Sequence, residues 1–316
     1  PDLVVVAPAT ANIIAKMANG IADDLISTTL LATPRPIVIA PAMNNGMWKA
    51  PATQANMATL RDRGVHVVGP GSGYLACGDV DTGRMSEPED IVEAVCEVLN
   101  PVPQDLTGKR IVITAGPTHE PIDPVRFIGN RSSGKMGIAL AGEAARRGAA
   151  VTLVLGPTSL DVPRGVECVH VQTASEMLKA ALSAFQTADA AICAAAVADY
   201  TPAAPADHKL KKANERLDRI ELVETVDILA ELSRQKGERC VIGFAAETDN
   251  VVEYAQRKLD RKGCDAIIAN DVSRADSGFG TDTNKAWIVS TTGTQELPVL
   301  TKPQLADTIL DLLQNL

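Results

Sequence analysis

The run Pro41-Ala42-Met43-Asn44-Asn45-Gly46-Met47-Trp48 gathers amides, two thioethers and an indole directly after the apolar Ile37-Val38-Ile39-Ala40. Packing has little use for that mixture, and the carboxyl end of a buried strand is where open α/β sheets bind ligands. Thr10 and Asn12 follow the first apolar run in the same way. Either can cap a helix, or its free N–H groups can face an anion or the polar edge of a ring. Cys77 stands among Gly71, Gly73, Gly78 and Gly83, with Asp79, Asp81 and Arg84 nearby. A free cysteine is usually a small buried hydrophobe. Its glycine-rich polar surroundings read instead as a loop outside the core, where the thiol is available for chemistry.

The later part of the chain holds a second set. Gly116 follows the strand-like Arg110-Ile111-Val112-Ile113-Thr114, and glycine at such a turn permits close backbone approach to a nucleotide. Gly129-Asn130-Arg131-Ser132-Ser133-Gly134-Lys135-Met136 shares its opening positions with a P-loop, yet it ends in Met136 where that motif needs a hydroxyl for magnesium. It also lacks a strand immediately before it. Ser132, Ser133 and Gly134 still place N–H groups at a helix start, as an anion site or as a serine cap with a glycine turn. Ala194-Ala195-Ala196-Val197-Ala198-Asp199 ends a buried strand in a carboxylate, either a turn former or a partner for a hard cation. Lys209-Leu210-Lys211-Lys212 is a basic knot in an acidic chain. Charge runs are commonly solvated faces, but over a triphosphate the same charges would stabilise a reaction in progress. Phe244 can pack on a nucleobase or fill core. Lys258 and Lys262 are four residues apart, a like-charge spacing that destabilises a helix unless anions answer it.

Elements to position these groups are legible in the periodicity. Apolar β-rich runs at 3–7, 37–40, 65–68, 110–114, 151–155, 189–193, 240–244 and 265–269 alternate with helical patterns at 11–32, 51–63, 87–99, 135–147, 174–187, 226–236, 250–262 and 303–314. That rhythm predicts two three-layer α/β domains with mostly parallel sheets. The prolines of Asn100-Pro101-Val102-Pro103 mark a linker, which divides the chain into 1–104 and 105–316. Segments 196–222 and 271–284 lack periodicity and read as lids or binding loops. The 316 residues are 46% apolar with 3% aromatics, enough for aliphatic cores. A net charge of −9 disfavours a nucleic-acid binder while leaving small anionic ligands open. No apolar run is long enough to span a membrane, and no basic leader precedes Leu3-Val4-Val5-Val6. Six scattered cysteines without CxxC spacing and four unclustered histidines point to reduced thiols, no structural zinc and a cytoplasmic location. Because the chain starts with Pro1 and enters at once a VVVAP strand expected in mid-sheet, it reads as a fragment of a longer protein.

The octapeptide 41–48 resembles the substrate-binding signature of flavin-dependent cysteine decarboxylases, and Ala76-Cys77-Gly78-Asp79 with Gly83-Arg84-Met85 resembles the flap of that family. The resemblance implies FMN held in part by the Thr10 and Asn12 loop. It implies substrate contacts from Met43, Asn44, Met47 and Arg84, with Asn44 binding the substrate carboxylate and Cys77 protonating an enethiolate. It also implies that the catalytic histidine and much of the flavin-phosphate site lie upstream of residue 1, leaving the decarboxylase half incomplete. The stretch from Thr114 to Gly137 is similar to the signature of phosphopantothenate-cysteine ligases. There the resemblance implies that Asn130 contacts an acyl-cytidylate and that Asp199 meets the nucleotide and its magnesium. Lys209, Lys211 and Lys212 would form the KxKK loop that closes over the triphosphate, with Lys209 as the catalytic cation. Gly116, Ala194, Ala195, Phe244, Lys258 and Lys262 would contact CTP.

Together the resemblances imply a bifunctional family of coenzyme A biosynthesis. Its substrates are 4′-phosphopantothenate, L-cysteine, CTP and 4′-phosphopantothenoylcysteine, and it forms ligase dimers and flavoprotein trimers. Without them, a nicotinamide-dependent oxidoreductase or a non-catalytic flavoprotein subunit would be compatible with the fold. The first lacks a GxGxxG fingerprint, and the second leaves the lysine loop and Asp199 without a task.

Overall fold

A computed structural model describes residues 1–74, 80–211, 219–274, 276–278 and 280–315. Contacts divide the chain into two units, Pro1–Val102 and Pro103–Leu316, a break just ahead of the boundary placed at residue 104.

The first unit runs β1 (Val4–Ala9), α1 (Ala11–Asn19), α2 (Leu25–Ala32), β2 (Ile37–Pro41), α3 (Asn45–Lys49), α4 (Pro51–Asp62), β3 (His66–Val67), β4 (Gly71–Tyr74), β5 (Val80–Arg84) and α5 (Pro88–Leu99). Strands β1, β2 and β3 pair in that order, all parallel, while β4 and β5 form a separate antiparallel hairpin. Ile14, Ile39, Met57 and Leu60 fill the core between sheet and helices. One expectation needs correction here. The helical pattern over 11–32 is two helices, because Gly20 closes α1 in the left-handed region and Asp24 opens α2 through a reciprocal cap with Ser27. Lys16 braces the turn by pairing with Asp23 and Asp24 at 2.6 and 2.7 Å. Within the described residues β1 pairs only with β2, and Val5 is exposed.

The second unit runs β6 (Arg110–Ala115), β7 (His119–Pro121), β8 (Phe127–Gly129), α6 (Lys135–Arg146), β9 (Ala150–Leu155), β10 (Glu167–His170), α7 (Ala174–Phe185), β11 (Ala190–Cys193), β12 (Tyr200–Pro202) and β13 (Leu222–Glu224). It continues with α8 (Ile228–Arg234), β14 (Cys240–Glu247), α9 (Val251–Lys262), β15 (Ala266–Asp271), β16 (Thr283–Ser290), β17 (Gly293–Thr301) and α10 (Lys302–Asn315). Eight strands form one sheet in the order β10-β9-β6-β11-β14-β15-β16-β17. The first six are parallel and the last two antiparallel. Alternate side chains of these strands enter two cores. One holds Ile111, Ile113 and Leu153 against α6 and α10; the other holds Val112, Val241 and Ile267 against α7, α8 and α9. This is the three-layer α/β arrangement that the periodicity implied.

The chain lays β6 down first, then builds β9 and β10 to one side before crossing to β11 on the other. The reversal opens a crevice beyond the carboxyl ends of β6 and β11, the position where doubly wound sheets take ligands. Two small hairpins, β7 with β8 and β12 with β13, lie beside each other outside the sheet, linked by Ala206 N donating to Ile122 O at 2.9 Å. Segment 196–222 was read as irregular but contains β12. The β16–β17 pair was missed: its apolar run is short, Ala286-Trp287-Ile288-Val289, preceded by the polar Asn284 and Lys285, although Asn284, Ala286 and Ile288 are buried at alternate positions. Among the described residues no helix is long and apolar enough to cross a membrane.

Candidate active sites

Each unit presents a candidate site at the carboxyl ends of its parallel strands. In the first, β2 runs into the octapeptide, and Met43 N donates to Gly83 O of β5 at 2.9 Å. Gly83 has φ +140°, and a Cβ there would collide with the Met43 carbonyl. Glycine is therefore what lets the hairpin lie directly against the ligand-type loop. Asn44 is exposed and caps α3, its Oδ1 accepting from Gly46 N at 2.8 Å. Met43 is half-buried and Met47 exposed. Arg84 sits at the hairpin's base, paired with Glu87 at 2.5 Å. Thr10 is the cap of α1, accepting from Ile13 N at 3.4 Å, and Asn12 is exposed in the first turn. Cys77 lies outside the described residues.

In the second unit the crevice is a cavity of about 1260 Å3. It brings together Asn130, Ala194, Ala195, Asp199, Phe244, Lys258 and Lys262, residues spread over more than a hundred positions of sequence. Asn130 is exposed at the mouth, and its Nδ2 donates to Val197 O at 2.9 Å and Ala196 O at 3.3 Å. The loop before α6 is thereby tied to the end of β11. Gly134, at φ +81°, is the cap residue of α6, and the helix has no side-chain cap. Ser132 Oγ accepts from Gly134 N at 3.3 Å and Ser133 Oγ from Lys135 N at 3.5 Å, and this helix start lines the cavity. Short β8, which precedes it, pairs only with β7, so the loop is no P-loop.

Gly116 does not line the cavity. A Cβ on it would come within 3.0 Å of Gly156 O, so the backbone this glycine admits is the protein's own. Asp199 is exposed in the wall; its backbone carbonyl accepts from Thr225 N at 2.9 Å, and its carboxylate has no protein partner among the described residues. Phe244 lines the cavity and packs on the core. On α9, Lys258 Nζ donates to Phe244 O at 2.7 Å, and burial pushes its pKa down. Lys262 pairs with Asp227, the residue that caps α8. Anions do answer part of the like-charge spacing.

The basic loop is held at its middle. Leu210 N donates to Asp123 Oδ2 at 3.2 Å, and Arg126 donates to Leu210 O at 3.1 Å. Asp123 is buried and also accepts from Val125 N and Arg126 N at 2.8 and 2.9 Å. The Arg126 guanidinium beside it holds its carboxyl well below the usual carboxylate range. Lys209 and Lys211, on either side of the anchored Leu210, are exposed and do not line the cavity. Lys212 lies outside the described residues. Several wall residues escaped the sequence reading, among them Thr225, Asp227, Asn284 and Lys302. The run Thr225-Val226-Asp227 carried a signal, a helix cap before an apolar run; Asn284 and Lys302 carried none.

Residues 1–100 match the family described as Flavoprotein, and residues 106–316 match the family described as DNA/pantothenate metabolism flavoprotein C-terminal domain. The coenzyme A biosynthesis bifunctional protein CoaBC of Bacillus subtilis (strain 168) is 49% identical over 312 residues, covering 98% of this chain and 77% of that one. The chain belongs to the CoaBC family of bifunctional coenzyme A biosynthesis proteins. The CoaBC protein of Escherichia coli (strain K12) is likewise 49% identical, over 313 residues, with the same coverage of 98% and 77%. A crystal structure of the C-terminal domain of a CoaBC protein aligns with a TM-score of 0.57 at 46% identity, covering 66% of this chain and 97% of that one. The two family matches end and begin on either side of the break between Val102 and Pro103.

Proposed function

We propose that the second unit joins L-cysteine to 4′-phosphopantothenate in a CTP-dependent ligation, and that the first belongs to an FMN-dependent decarboxylase acting on the product, 4′-phosphopantothenoylcysteine. Membership of the CoaBC family supports the pair of activities. The observation that carries the ligase reading is the single cavity at the topological switch, which gathers Asn130, Asp199, Lys258 and Lys262. Two polyanions must meet there, and a chain of net charge −9 has concentrated lysines around the meeting place.

In the ligation the pantothenate carboxylate attacks the α-phosphorus of CTP, pyrophosphate leaves, and the cysteine amine then displaces CMP to form the amide. Lys258 and Lys262 hold nucleotide charge from the α9 side, with Phe244 beside the base. Asn130, tied to β11, sets the loop against which the acyl-cytidylate lies, so that positioning is completed before reaction. Leu210, clamped by Asp123 and Arg126, fixes the middle of the loop from which Lys209 and Lys211 reach inward as pyrophosphate departs. Asp199 would hold magnesium, since its carboxylate stands in the wall with no protein partner among the described residues, and the ion would there offset phosphate charge.

In the first unit the flavoprotein match and the exposed start of α1 support an FMN ring edge near Thr10 and Asn12. When bound, FMN supplies the electron acceptance and return that a decarboxylation without net redox change requires. Asn44 takes the substrate carboxylate, flanked by Met43, Met47 and Arg84, and Cys77 delivers the proton. The exposed apolar side chains Phe127, Tyr200, Leu222 and Val223, on the two adjacent small hairpins, support self-association of the ligase unit. The five described cysteines are free, which supports a reducing cytoplasmic setting.

The test is incubation of the full chain with 4′-phosphopantothenate, L-cysteine, magnesium and either CTP or ATP, reading pyrophosphate and product mass. CTP-dependent formation of the cysteine amide is expected. Folded protein that releases no pyrophosphate with either nucleotide would sink the ligase reading.

A further inference from the structure

The cavity has a second cationic region besides α9, on the other helical layer of the sheet. Lys135 opens α6 and Lys302 opens α10, and both line the cavity. Lys302 is only 5% exposed. Its Nζ donates to Asn284 Oδ1 at 2.7 Å and Gly278 O at 3.3 Å, both neutral oxygens. No carboxylate among the described residues lies within ion-pair distance of it, since the neighbouring Asp282 is taken by Lys135 at 2.6 Å. A buried ammonium without a counter-charge is costly unless something else supplies one.

The surrounding donors point the same way. Asn284 spends its Oδ1 on Lys302, and Asn270 spends its Oδ1 on Ser277 at 2.9 Å. Both amides are more than nine-tenths buried, both line the cavity, and neither side-chain NH2 donates to an acceptor among the described residues. The start of α6, whose cap residue is the glycine Gly134, faces the same space. A cation lacking its anion and two amide donors lacking acceptors, beside a helix start, make a complement of donors with no matching oxygen in the protein.

We propose that Lys302, with Lys135, Asn284 and Asn270, forms a phosphoryl-binding station, the counterpart across the sheet of the Lys258 and Lys262 pair. It rests on the ligase reading, which brings two phosphate-bearing reactants into this cavity. Its ligand is a terminal phosphate dianion, supplied either by the β and γ groups of the nucleotide or by the phosphomonoester of the second substrate. The station binds and orients; Lys302 is a positioning residue.

Calorimetric titration of the full chain with CTP against CMP, and with 4′-phosphopantothenate against pantothenate, isolates each phosphate by difference. In Lys302→Met one of these differences shrinks by on the order of tenfold or more, the scale of a charge-assisted hydrogen bond. Loss on CTP alone assigns the station to the nucleotide, and loss on 4′-phosphopantothenate alone assigns it to the second substrate. Asn284→Asp covers the case in which Lys302→Met does not fold. It gives Lys302 an internal counter-ion, so the melting temperature rises while the same phosphate difference shrinks. Unchanged differences in Asn284→Asp, or equal weakening of the ligands that lack the phosphate, overturn the station. Wild-type pyrophosphate release is read separately. Turnover with unaltered differences in the variants removes the station alone, and phosphate binding without turnover removes the ligase reading alone.

Discussion

Lys302 illustrates how far a residue's chemistry depends on what folds over it. Burial pushes its pKa down to about 8 from the ordinary 10.5, with Lys135 adding repulsion and Asp282 partly offsetting it. Between those two values the unfolded chain binds the proton that the folded chain has released, so stability gained from this site rises with pH across about 8 to 10.5. Below about pH 8 both states are protonated and the full burial penalty remains. Urea midpoints of the ligand-free chain, compared with Lys302→Met, are expected to converge as pH rises through that window. A constant gap would place the charge elsewhere. Asp199, Lys258 and Lys262 stand out in sequence, because a carboxylate directly after an apolar strand and lysines at helical spacing do little for packing, whereas Asn130 is marked only by the family resemblance of the stretch around it. Lys302 does not stand out. A lysine at a helix start reads as surface, and its burial follows from the β16–β17 hairpin, which itself left only a short apolar run.

Among the elements, the clamp on the basic loop makes a separable prediction. Asp123→Asn keeps the shape but removes the charge that holds Arg126, leaving Leu210 N and O without their fixed partners. Turnover of the ligase is expected to fall on the order of tenfold or more while the KM for CTP changes little, because a positioning contact made late affects kcat rather than ground-state binding. A parallel loss in CTP affinity would show that the clamp supports the whole cavity instead. The glycine hairpin of the first unit offers a sterically defined test. Gly83→Ala places a methyl against the Met43 carbonyl at φ +140° and is expected to cost that unit about 1 to 3 kcal/mol in denaturant unfolding. Unaltered unfolding would mean that β5 does not rest on the octapeptide in solution. The parallel strands and their helices were visible as apolar runs and 3.6-residue stripes, since each buries a whole face. The small hairpins β7–β8 and β12–β13 were not, because three residues of strand hold too little pattern to separate from loop.

For the molecule as a whole, one buried side chain ties distant parts of the second unit together. Arg147, 2% exposed, reaches Asp105 at 2.6 Å, Asp311 at 2.8 Å and Asp307 at 3.0 Å, joining the start of the unit and the end of α6 to α10. Arg147→Met removes these charge-assisted hydrogen bonds while leaving partly exposed carboxylates that water can solvate, and is expected to destabilise the unit by about 1 to 2 kcal/mol. Calorimetric unfolding with an unchanged midpoint would show the tie to be dispensable. The lysine groups of the ligase cavity ride on opposite helical layers, α9 on one side and α6 with α10 on the other. Both groups face one cavity, so two reactants bound there are thermodynamically linked. Thermodynamic reciprocity then fixes a relation that needs no kinetic assumption. The factor by which bound nucleotide alters the dissociation constant of 4′-phosphopantothenate must equal the factor by which bound 4′-phosphopantothenate alters that of the nucleotide.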